Sequence, residues 1–554
     1  MAAPVLTNMA GMIPDSKGAG KTYDFIDKKS CDLVVLGGGG SGMVAAVRAA
    51  QLTGKKVIVL EKQSSTGGAA NYAQLIRTFG SKWQADRNLP DTTTEYARDV
   101  MDQVFWRLDE KLVLNCLRGT GQFFDWVCEQ GHEIIKEDMF VIGKYSGPGG
   151  EVTSGPLGPQ MDSKKSGKGF GRFVMDLMKE KCGIYGVEVL MKHPAVDVEV
   201  KNGKIVAVIA KSDAGYIRVA CEACIMSIGS WINNEAILKK YCPRFFKVKP
   251  YLTPSPHMNP SYTGDGIPLA EKVGAFVDYD SFCLRLMGGF YNYLMGDTAG
   301  SSAVVLSMSQ SPYIITVNLD GKRFAAEPVA HMGRIGHGQV LVDQPHGNSF
   351  DIFDESTLAA TFKLPKCTQT TEDINTLACY SMTWTTLVGD RQTQSYLPRN
   401  MEEVYSIIKK GFVKGSRYMF KADSLEELAD QIGVNKKNFR ETVRSYNESC
   451  EKGVDWNFFK RKDALVPLNK PPYYAYVGEL MTDGAFGGVQ VNPEMQAYKP
   501  NGDLVEGLYI TGDFSSSRFI NHGGVKIQVM SDLSWALSSG FLAGTNAAKY
   551  LQGV

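Results

Sequence analysis

The sequence carries almost no excess of either charge: 60 lysines and arginines stand against 59 aspartates and glutamates, a formal net charge of +1. No bulk field is therefore available to draw in nucleic acid or an anionic membrane. No apolar run is long enough to span a bilayer. The first thirty residues lack a basic start followed by an unbroken apolar stretch, and hold Pro4, Gly11, Pro14, Asp15 and Asp24 instead. That is not the layout of a secretory signal, so they are expected to form a surface extension on a cytoplasmic protein. Internal repeats and low-complexity tracts are absent. The eleven cysteines are scattered, as suits reduced thiols rather than a disulfide framework. One close pair, Cys221 and Cys224, falls in an alternating stretch ending at Ile228. Taken as one strand, that stretch turns the two thiols to opposite faces. No second pair stands at zinc or iron–sulfur spacing and no Cys-x-x-Cys-His occurs, so neither a metal site nor covalent haem is expected.

What is present is a chain of 554 residues, 44% hydrophobic and 21% charged, long enough for more than one domain and composed like a globular enzyme. Asp32–Leu36 reads as a short buried strand, Gly37-Gly38-Gly39-Gly40-Ser41-Gly42 as a turn, and Met43–Leu52 as an alanine-rich helix. Gly37, Gly39 and Gly42 keep the G-x-G-x-x-G spacing. The first permits the tight turn, the second lets backbone approach a pyrophosphate, and the third lets helix pack on strand. Amides at the helix start then meet the phosphate charge. Lys55–Leu60 reads as the next strand, and Glu61 follows at the distance expected of a ribose-binding acid.

The loop after that acid directs attention to one cofactor. Glu61-Lys62 is followed by Ser64-Ser65-Thr66-Gly67-Gly68-Ala69-Ala70-Asn71. This Glu-Lys, Gly-Gly and small-residue pattern resembles the FAD-binding flavoproteins of the fumarate reductase and succinate dehydrogenase superfamily, which includes ketosteroid dehydrogenases and ene-reductases. The resemblance extends over most of the chain after residue 31. Ala223–Ser230 is similar to the family's strand ending in Ala-Thr-Gly-Gly, with Gly229 kept and Ser230 in place of the last glycine. Thr263-Gly264-Asp265-Gly266, then a helix and Gly274-Ala275, resembles another family stretch, and Gly507–Asp513 resembles the second flavin signature. The resemblance implies FAD, held by Gly37, Gly39, Gly40, Ser41, Gly42, Glu61, Lys62, Gly67, Gly68, Ala69, Asn71, Gly229, Asp265, Gly512 and Asp513, with Asp513 on the ribityl chain. It implies non-covalent FAD, because members that attach the flavin use a histidine in the loop after Glu-Lys and Ser64–Phe79 contains none.

The implied fold is α/β, a Rossmann-like FAD-binding domain interrupted by an α+β cap that covers the substrate. Residues 1–30 are the extension, 31–295 the first part of the FAD domain, 296–482 the cap and 483–554 the returning part. Within the cap, Asp320-Gly321 reads as a hairpin turn, and Asp423–Ile432 and Lys437–Cys450 as helices, the first capped by Ser424.

For chemistry, the resemblance implies hydride transfer between flavin N5 and one carbon of a C=C or CH–CH unit. The neighbouring carbon then needs a protein acid or base, and the activating group needs donors. The family's cap motif is matched by Gly321-Lys322-Arg323-Phe324-Ala325-Ala326-Glu327, and four residues beyond its acid, where ketosteroid dehydrogenases carry a tyrosine base, stands His331. Histidine titrates near neutrality and suits this transfer. His337 is the substitute. Fumarate reductases carry a proton-donating arginine where this chain has Leu358, after Asp354-Glu355-Ser356. Their histidine before Gly-Gly-Val is replaced by Asp483 and Gly484, and their His-Gly-Ala-Asn-Arg clamp becomes His522-Gly523-Gly524-Val525-Lys526. Lysine lacks the planar fork that grips a carboxylate twice, so a small dicarboxylate is disfavoured. The ketosteroid dehydrogenases' polarising tyrosine has no clear counterpart either, which leaves Lys526, His522 or Arg518 for that task.

Phe282, Met287, Phe290, Tyr291, Tyr293 and Met295 cluster ahead of the cap and would suit a flat ring if they line the cleft. The expected function is FAD-dependent reduction of an activated C=C bond in a steroid-like or phenolic ring compound, with electrons from NAD(P)H or a donor protein. Three alternatives stay open: a dehydrogenase introducing a ring double bond, a flavin-dependent isomerase or eliminase without net redox change, and a non-catalytic flavin-binding subunit.

Overall fold

Three short apolar runs form the middle of a parallel sheet. Leu33–Leu36 (β2), Val57–Glu61 (β3) and Ala223–Met226 (β8) are buried along their whole length, as strands covered on both faces must be. The computed structural model describes residues 22–73, 76, 78–86, 91–103, 106, 108–130, 145–147, 150–152, 170–252, 260–289, 311, 313–327, 338–363, 386–388, 391–393, 419–515 and 532–554.

With Glu188–Met191 (β4), Gln496–Tyr498 (β14) and Leu504–Ile510 (β15), the three runs make a six-stranded sheet of order β14-β15-β8-β2-β3-β4. All neighbours are parallel except the edge pair β14 and β15. Strand β15 comes from the far end of the chain yet pairs with β8, so this sheet is completed only after the cap has been made. Helix α1 (Gly40–Thr53) packs on the sheet and on the last helix, Asp532–Gln552. The two helices approach closely because the last one presents Gly540 and Gly544. A Cβ on Gly540 would lie 2.2 Å from the Ser41 carbonyl oxygen, and one on Gly544 2.5 Å from that of Ala45. Both obstacles are backbone, which cannot swing aside.

A second sheet contains Phe25–Ser30 (β1), Ala195–Lys201 (β5), Lys204–Lys211 (β6) and Tyr216–Ala220 (β7), in the order β1-β7-β6-β5. Residues 25–30 are therefore an edge strand of the fold, running parallel to β7, and not part of an extension ending at residue 30. The alternation that carries Cys221 and Cys224 is likewise two strands. Strand β7 ends at Ala220 and β8 begins at Ala223, in different sheets, so the opposite-face argument for those thiols does not apply.

The third sheet is antiparallel: Val277–Gly289 (β9), Ile315–Asn318 (β10), Asn348–Asp354 (β11), Met419–Ala422 (β12) and Tyr473–Val489 (β13), ordered β9-β13-β11-β10 with β12 also on β13. Strand β9 precedes residue 296 and β13 continues past 482, so the sheet draws on chain from both sides of each expected boundary. The expected hairpin is present, with Asn318 N–H donating to Lys322 O at 2.9 Å and Val317 bridged to Arg323. The expected helices form over Leu425–Ile432 and Lys436–Lys452, and Ser424 Oγ caps the first by accepting from Glu427 N–H at 3.1 Å. Leu428, Phe439, Val443 and Tyr446 from these helices pack with Ile315, Val317 and Ile352 in a separate small core. Among the described residues no helix is long and apolar enough to cross a membrane.

Candidate cofactor site and cap

At the C-terminal ends of β2 and β3 the chain turns sharply around glycines, each fitted to a different demand. Gly37 has φ +98°, and a Cβ there would lie 2.2 Å from Ser227 O; one on Gly42 would lie 2.0 Å from Gly37 O. These two glycines let chain cross chain. Gly39 differs, because no atom lies within 4 Å of where its Cβ would be. It opens onto free space at the start of α1, whose N-cap Gly39 offers no side-chain acceptor and whose first turn holds no acid. The unpaired amides of that turn are what an anion would meet.

The second loop is laid alongside the first. Gly67 N–H donates to Gly38 O at 2.8 Å, and Gly39 bridges to Gly67 as in a parallel sheet. Asn71 Nδ2 donates to Thr66 O at 3.0 Å. Among the described residues, three buried side-chain oxygens around this cradle find no partner: Thr66 Oγ1, Asn71 Oδ1 and Thr511 Oγ1. Buried polar atoms in that condition cost about 1–3 kcal/mol each unless a ligand or water satisfies them. The open Gly39, the unpaired amides and these oxygens together fit a bound dinucleotide.

Glu61 ends β3 with only 8% of its surface exposed. Its Oε2 accepts from Gly38 N–H at 2.7 Å and its Oε1 from Gln63 N–H at 2.7 Å. Two backbone donors aim the carboxylate and leave lone pairs for a ribose diol. Lys62 and Asp265, both expected at the cofactor, are brought to one another: Nζ lies 2.6 Å from Asp265 Oδ2. Lys62 Nζ also donates to Ser261 O and, at 3.3 Å, to Thr263 Oγ1, which donates to Asp265 Oδ1 at 2.6 Å. The pair straps the end of β3 to the turn before helix Gly266–Lys272.

The C-terminal signature docks onto the first turn of α1. Gly512 has φ +65°, and its Cβ would lie 2.8 Å from Ser41 Oγ. Its N–H donates to Ser539 Oγ at 3.0 Å and its carbonyl accepts from Trp535 Nε1 at 2.9 Å. Ser41 Oγ and Ser227 Oγ share a hydrogen bond of 2.6 Å. Burial, and then the Asp513 carboxylate, push the ionisation of Tyr262 up. Beyond it, the ring of Tyr262 stands 3.6 Å from the position of a Gly229 Cβ. Sequence reasoning missed Tyr262, Ser227 and Thr511. A signal existed for the last two: each is a hydroxyl directly after an apolar parallel strand, at the end where open α/β sheets bind ligands.

The cap motif builds a buried charge cluster. Arg323 Nε donates to Glu327 Oε1 at 2.7 Å, and Nη2 to Glu327 Oε2 at 2.5 Å and Asp455 Oδ2 at 2.8 Å. Lys460 Nζ stands 3.7 Å from Glu327 Oε2 and donates to Ile314 O at 2.6 Å. Burial pushes the Lys460 ammonium down to about 8. Thr316 N–H donates to Glu327 Oε1 at 3.2 Å and Thr316 Oγ1 to Asp351 Oδ1 at 2.6 Å. Burial, with Glu327 adding to it against hydrogen bonds from Thr316 and Tyr476, raises Asp351 to about 7.

That acid supports a pH prediction. A carboxyl whose folded pKa lies above its unfolded value of 3.8 stabilises the fold below pH 4, and this contribution is lost as pH rises through about 7. Lys460 acts above pH 8 and with opposite sign. Between pH 5 and 7, urea unfolding of the wild type is expected to lose up to roughly 1.4 kcal/mol per pH unit relative to Asp351→Asn. Parallel profiles for the two proteins would show that Asp351 titrates normally.

The catalytic candidates His331, His337, Arg518, His522 and Lys526 lie outside the described residues, as do Phe290, Tyr291, Tyr293 and Met295. Phe282 proves to be core: it stacks on Trp231 at 4.8 Å and packs against Tyr279 and Tyr241 at 5.1 and 5.4 Å. Leu358 is fully buried in helix Glu355–Lys363.

A family model described as an FAD binding domain matches residues 32–524. The vinyl phenol reductase of Lactiplantibacillus plantarum is 25% identical, with 94% of this chain and 97% of that protein covered. The NADH:fumarate oxidoreductase of Klebsiella pneumoniae is 22% identical across 95% of this chain, which spans 48% of that protein. Among solved structures, 3-ketosteroid-Δ4-(5α)-dehydrogenase from Rhodococcus jostii in complex with 4-androstene-3,17-dione shares the fold, with a TM-score of 0.63 at 20% identity, 95% of this chain and 98% of that one being covered.

Proposed function

The chain belongs to the FAD-binding domain family and is an FAD-dependent oxidoreductase of the fumarate reductase group; from that premise we propose that it reduces an activated C=C bond on a phenolic or steroid-like ring compound, with the FAD held non-covalently. The observation that carries this reading is the end-to-end match to a vinyl phenol reductase, 94% of one chain against 97% of the other. The buried Leu358 supports it from the other side, since a leucine offers no proton where the resemblance implies an arginine.

Bound FAD, once reduced by the electron donor, would supply the hydride for one carbon of the double bond. The chain's own residues would hold and orient it: the amides at the start of α1 would meet the diphosphate and Glu61 the adenosine ribose, with Asp513 toward the ribityl chain. His331 gives the proton to the neighbouring carbon, and His522, Lys526 or Arg518 steadies the charge that develops on the activating group. The overall change is one hydride and one proton added across C=C, so an electron donor, NAD(P)H or a donor protein, must restore the reduced cofactor after each turnover.

Anaerobic mixing of the reduced protein with candidate oxidants tests the reading. A vinyl phenol or a 3-keto-4-ene steroid is expected to restore the oxidised flavin spectrum rapidly, and fumarate slowly. Rapid reoxidation by fumarate would overturn the proposal. Reduction of the oxidised protein by a saturated ring ketone, with no reaction of the unsaturated compounds, would reverse its direction. A further expectation concerns the cofactor: Glu61→Ala removes a charge-assisted contact of about 1.5–3 kcal/mol, and FAD dissociation, followed by flavin fluorescence, should rise roughly 10- to 150-fold. Flavin retained on the acid-denatured chain would contradict non-covalent binding.

A further inference from the structure

Resting on the FAD reading, we propose that Tyr262 is the side-chain donor that closes the diphosphate site, its hydroxyl giving a hydrogen bond to a diphosphate oxygen.

The argument begins with where the hydroxyl stands. A Cβ on Gly68 would lie 3.5 Å from Tyr262 Oη and 3.8 Å from Gly39 Cα. The hydroxyl and the second fingerprint glycine therefore flank one position, and Gly39 is the glycine that opens onto free space. In an extended dinucleotide the diphosphate lies between the ribose, held by Glu61, and the ribityl chain, held by Asp513. The Tyr262 hydroxyl, facing Gly68 and Gly39, stands beside that middle stretch rather than at either end.

The hydroxyl is also oriented. It faces the glycine loop across Gly68 and carries a proton to give. Burial and the neighbouring carboxylates keep that proton in place, as a donor to an anion requires. The ring is held as well as the hydroxyl. On either side of Tyr262 the chain is fastened by Lys62, which donates to Ser261 O and Thr263 Oγ1 and pairs with Asp265. The Tyr262 carbonyl accepts from Asn233 N–H at 2.9 Å. Lys62 thereby acts as a positioning residue for the tyrosine. The unpartnered Thr66 Oγ1 and Thr511 Oγ1 are independent signs that this cradle receives a polar ligand.

The test uses the full-length holoprotein and its Tyr262→Phe variant, which keeps the ring packing and removes only the hydroxyl. A hydrogen bond to a charged group is expected to be lost, so FAD should dissociate about tenfold more readily or beyond, with thermal stability of the FAD-saturated protein otherwise close to wild type. The phosphorus-31 resonances of bound FAD should move in the variant, while Lys62→Met should reproduce part of the weakening through loss of position. FAD affinity and phosphorus shifts equal to wild type would overturn the proposal, assigning Tyr262 to packing alone. Tighter FAD binding in Tyr262→Phe or Tyr262→Ala would overturn it too, because the side chain would then be occupying the ligand's place. Failure of the wild type itself to hold FAD would sink the cofactor reading instead, and the two failures are thereby distinguished.

Discussion

Asp455→Ala is expected to destabilise the protein by about 3–5 kcal/mol, the penalty for leaving a buried charge without its partner. The side chain of Arg323 is 4% exposed and those of Glu327, Asp455 and Lys460 are 0% exposed. Arg323 and Lys460 thus face Glu327 and Asp455 out of reach of water, with Asp351, raised to about 7, the next acid along. Removing Asp455 leaves a net positive charge that cannot relax outward. The guanidinium already lies 4.6 Å from the Phe458 ring and 5.2 Å from that of Tyr446, so water has little room to enter. Asp455 Oδ1 also accepts from Asn457 and Phe458 N–H at 3.1 and 3.2 Å, which the alanine forfeits as well. Asp455→Asn keeps those amide contacts and the shape, and should recover a minor part of the loss. Urea unfolding at neutral pH measures both variants; a loss within about 1 kcal/mol for Asp455→Ala would mean that the charges are solvated in solution. Replacing Arg323, Glu327, Asp455 and Lys460 together by apolar residues is a different experiment, since buried ion sets often yield to good packing without penalty.

That cluster also marks where sequence reasoning stops. The nucleotide fold was legible because its signals are local: an apolar strand, glycines at fixed spacing and an acid at the next strand end all fall between Asp32 and Glu61. The cap helices were legible for the same reason, with Ser424 opening the first. What joins distant chain was not legible. Asp455 and Lys460 meet the 323–327 motif from more than a hundred residues away, and no spacing rule links them. Lys62 read as a cofactor residue from the Glu-Lys pattern of the resemblance, but its ion-pair partner Asp265 lies 203 positions on and no local signal links them. Tyr262 was overlooked because an aromatic next to a glycine turn is common, and only the opposite loops, through Gly68 and Gly39, show what its hydroxyl faces. The alternation through Cys221 and Cys224 misled because one regular pattern can run through the end of one strand and the start of another in a different sheet.

His331→Ala is expected to reduce turnover of the C=C substrate by about 10²–10⁴-fold, the usual contribution of a positioned general acid. Hydride addition to one carbon leaves electron density on its neighbour, and that carbon must take a proton before product can leave. The chain offers few groups for the step. Leu358, where the resemblance implies the arginine of the fumarate reductases, is buried and has no proton to give, whereas an imidazole titrates close to the working pH and needs little tuning. The cap cluster bears on this choice, because Glu327, four residues before His331, is tied down by Arg323, Lys460 and the Thr316 amide. A proton donor must hold its place to a fraction of an ångström, so a rigid anchor just upstream suits the role. Flavin content and the rate of flavin reduction by the electron donor should be unaffected in His331→Ala, since neither requires a proton on the substrate. In deuterium oxide the wild type should deliver one deuteron to the carbon beside the hydride-accepting one, and the wild-type pH profile should lose activity as His331 deprotonates, a limb absent from the variant. A variant that keeps most of its turnover, or the same basic limb, would remove His331 from the mechanism and move the role to His337, His522 or Lys526.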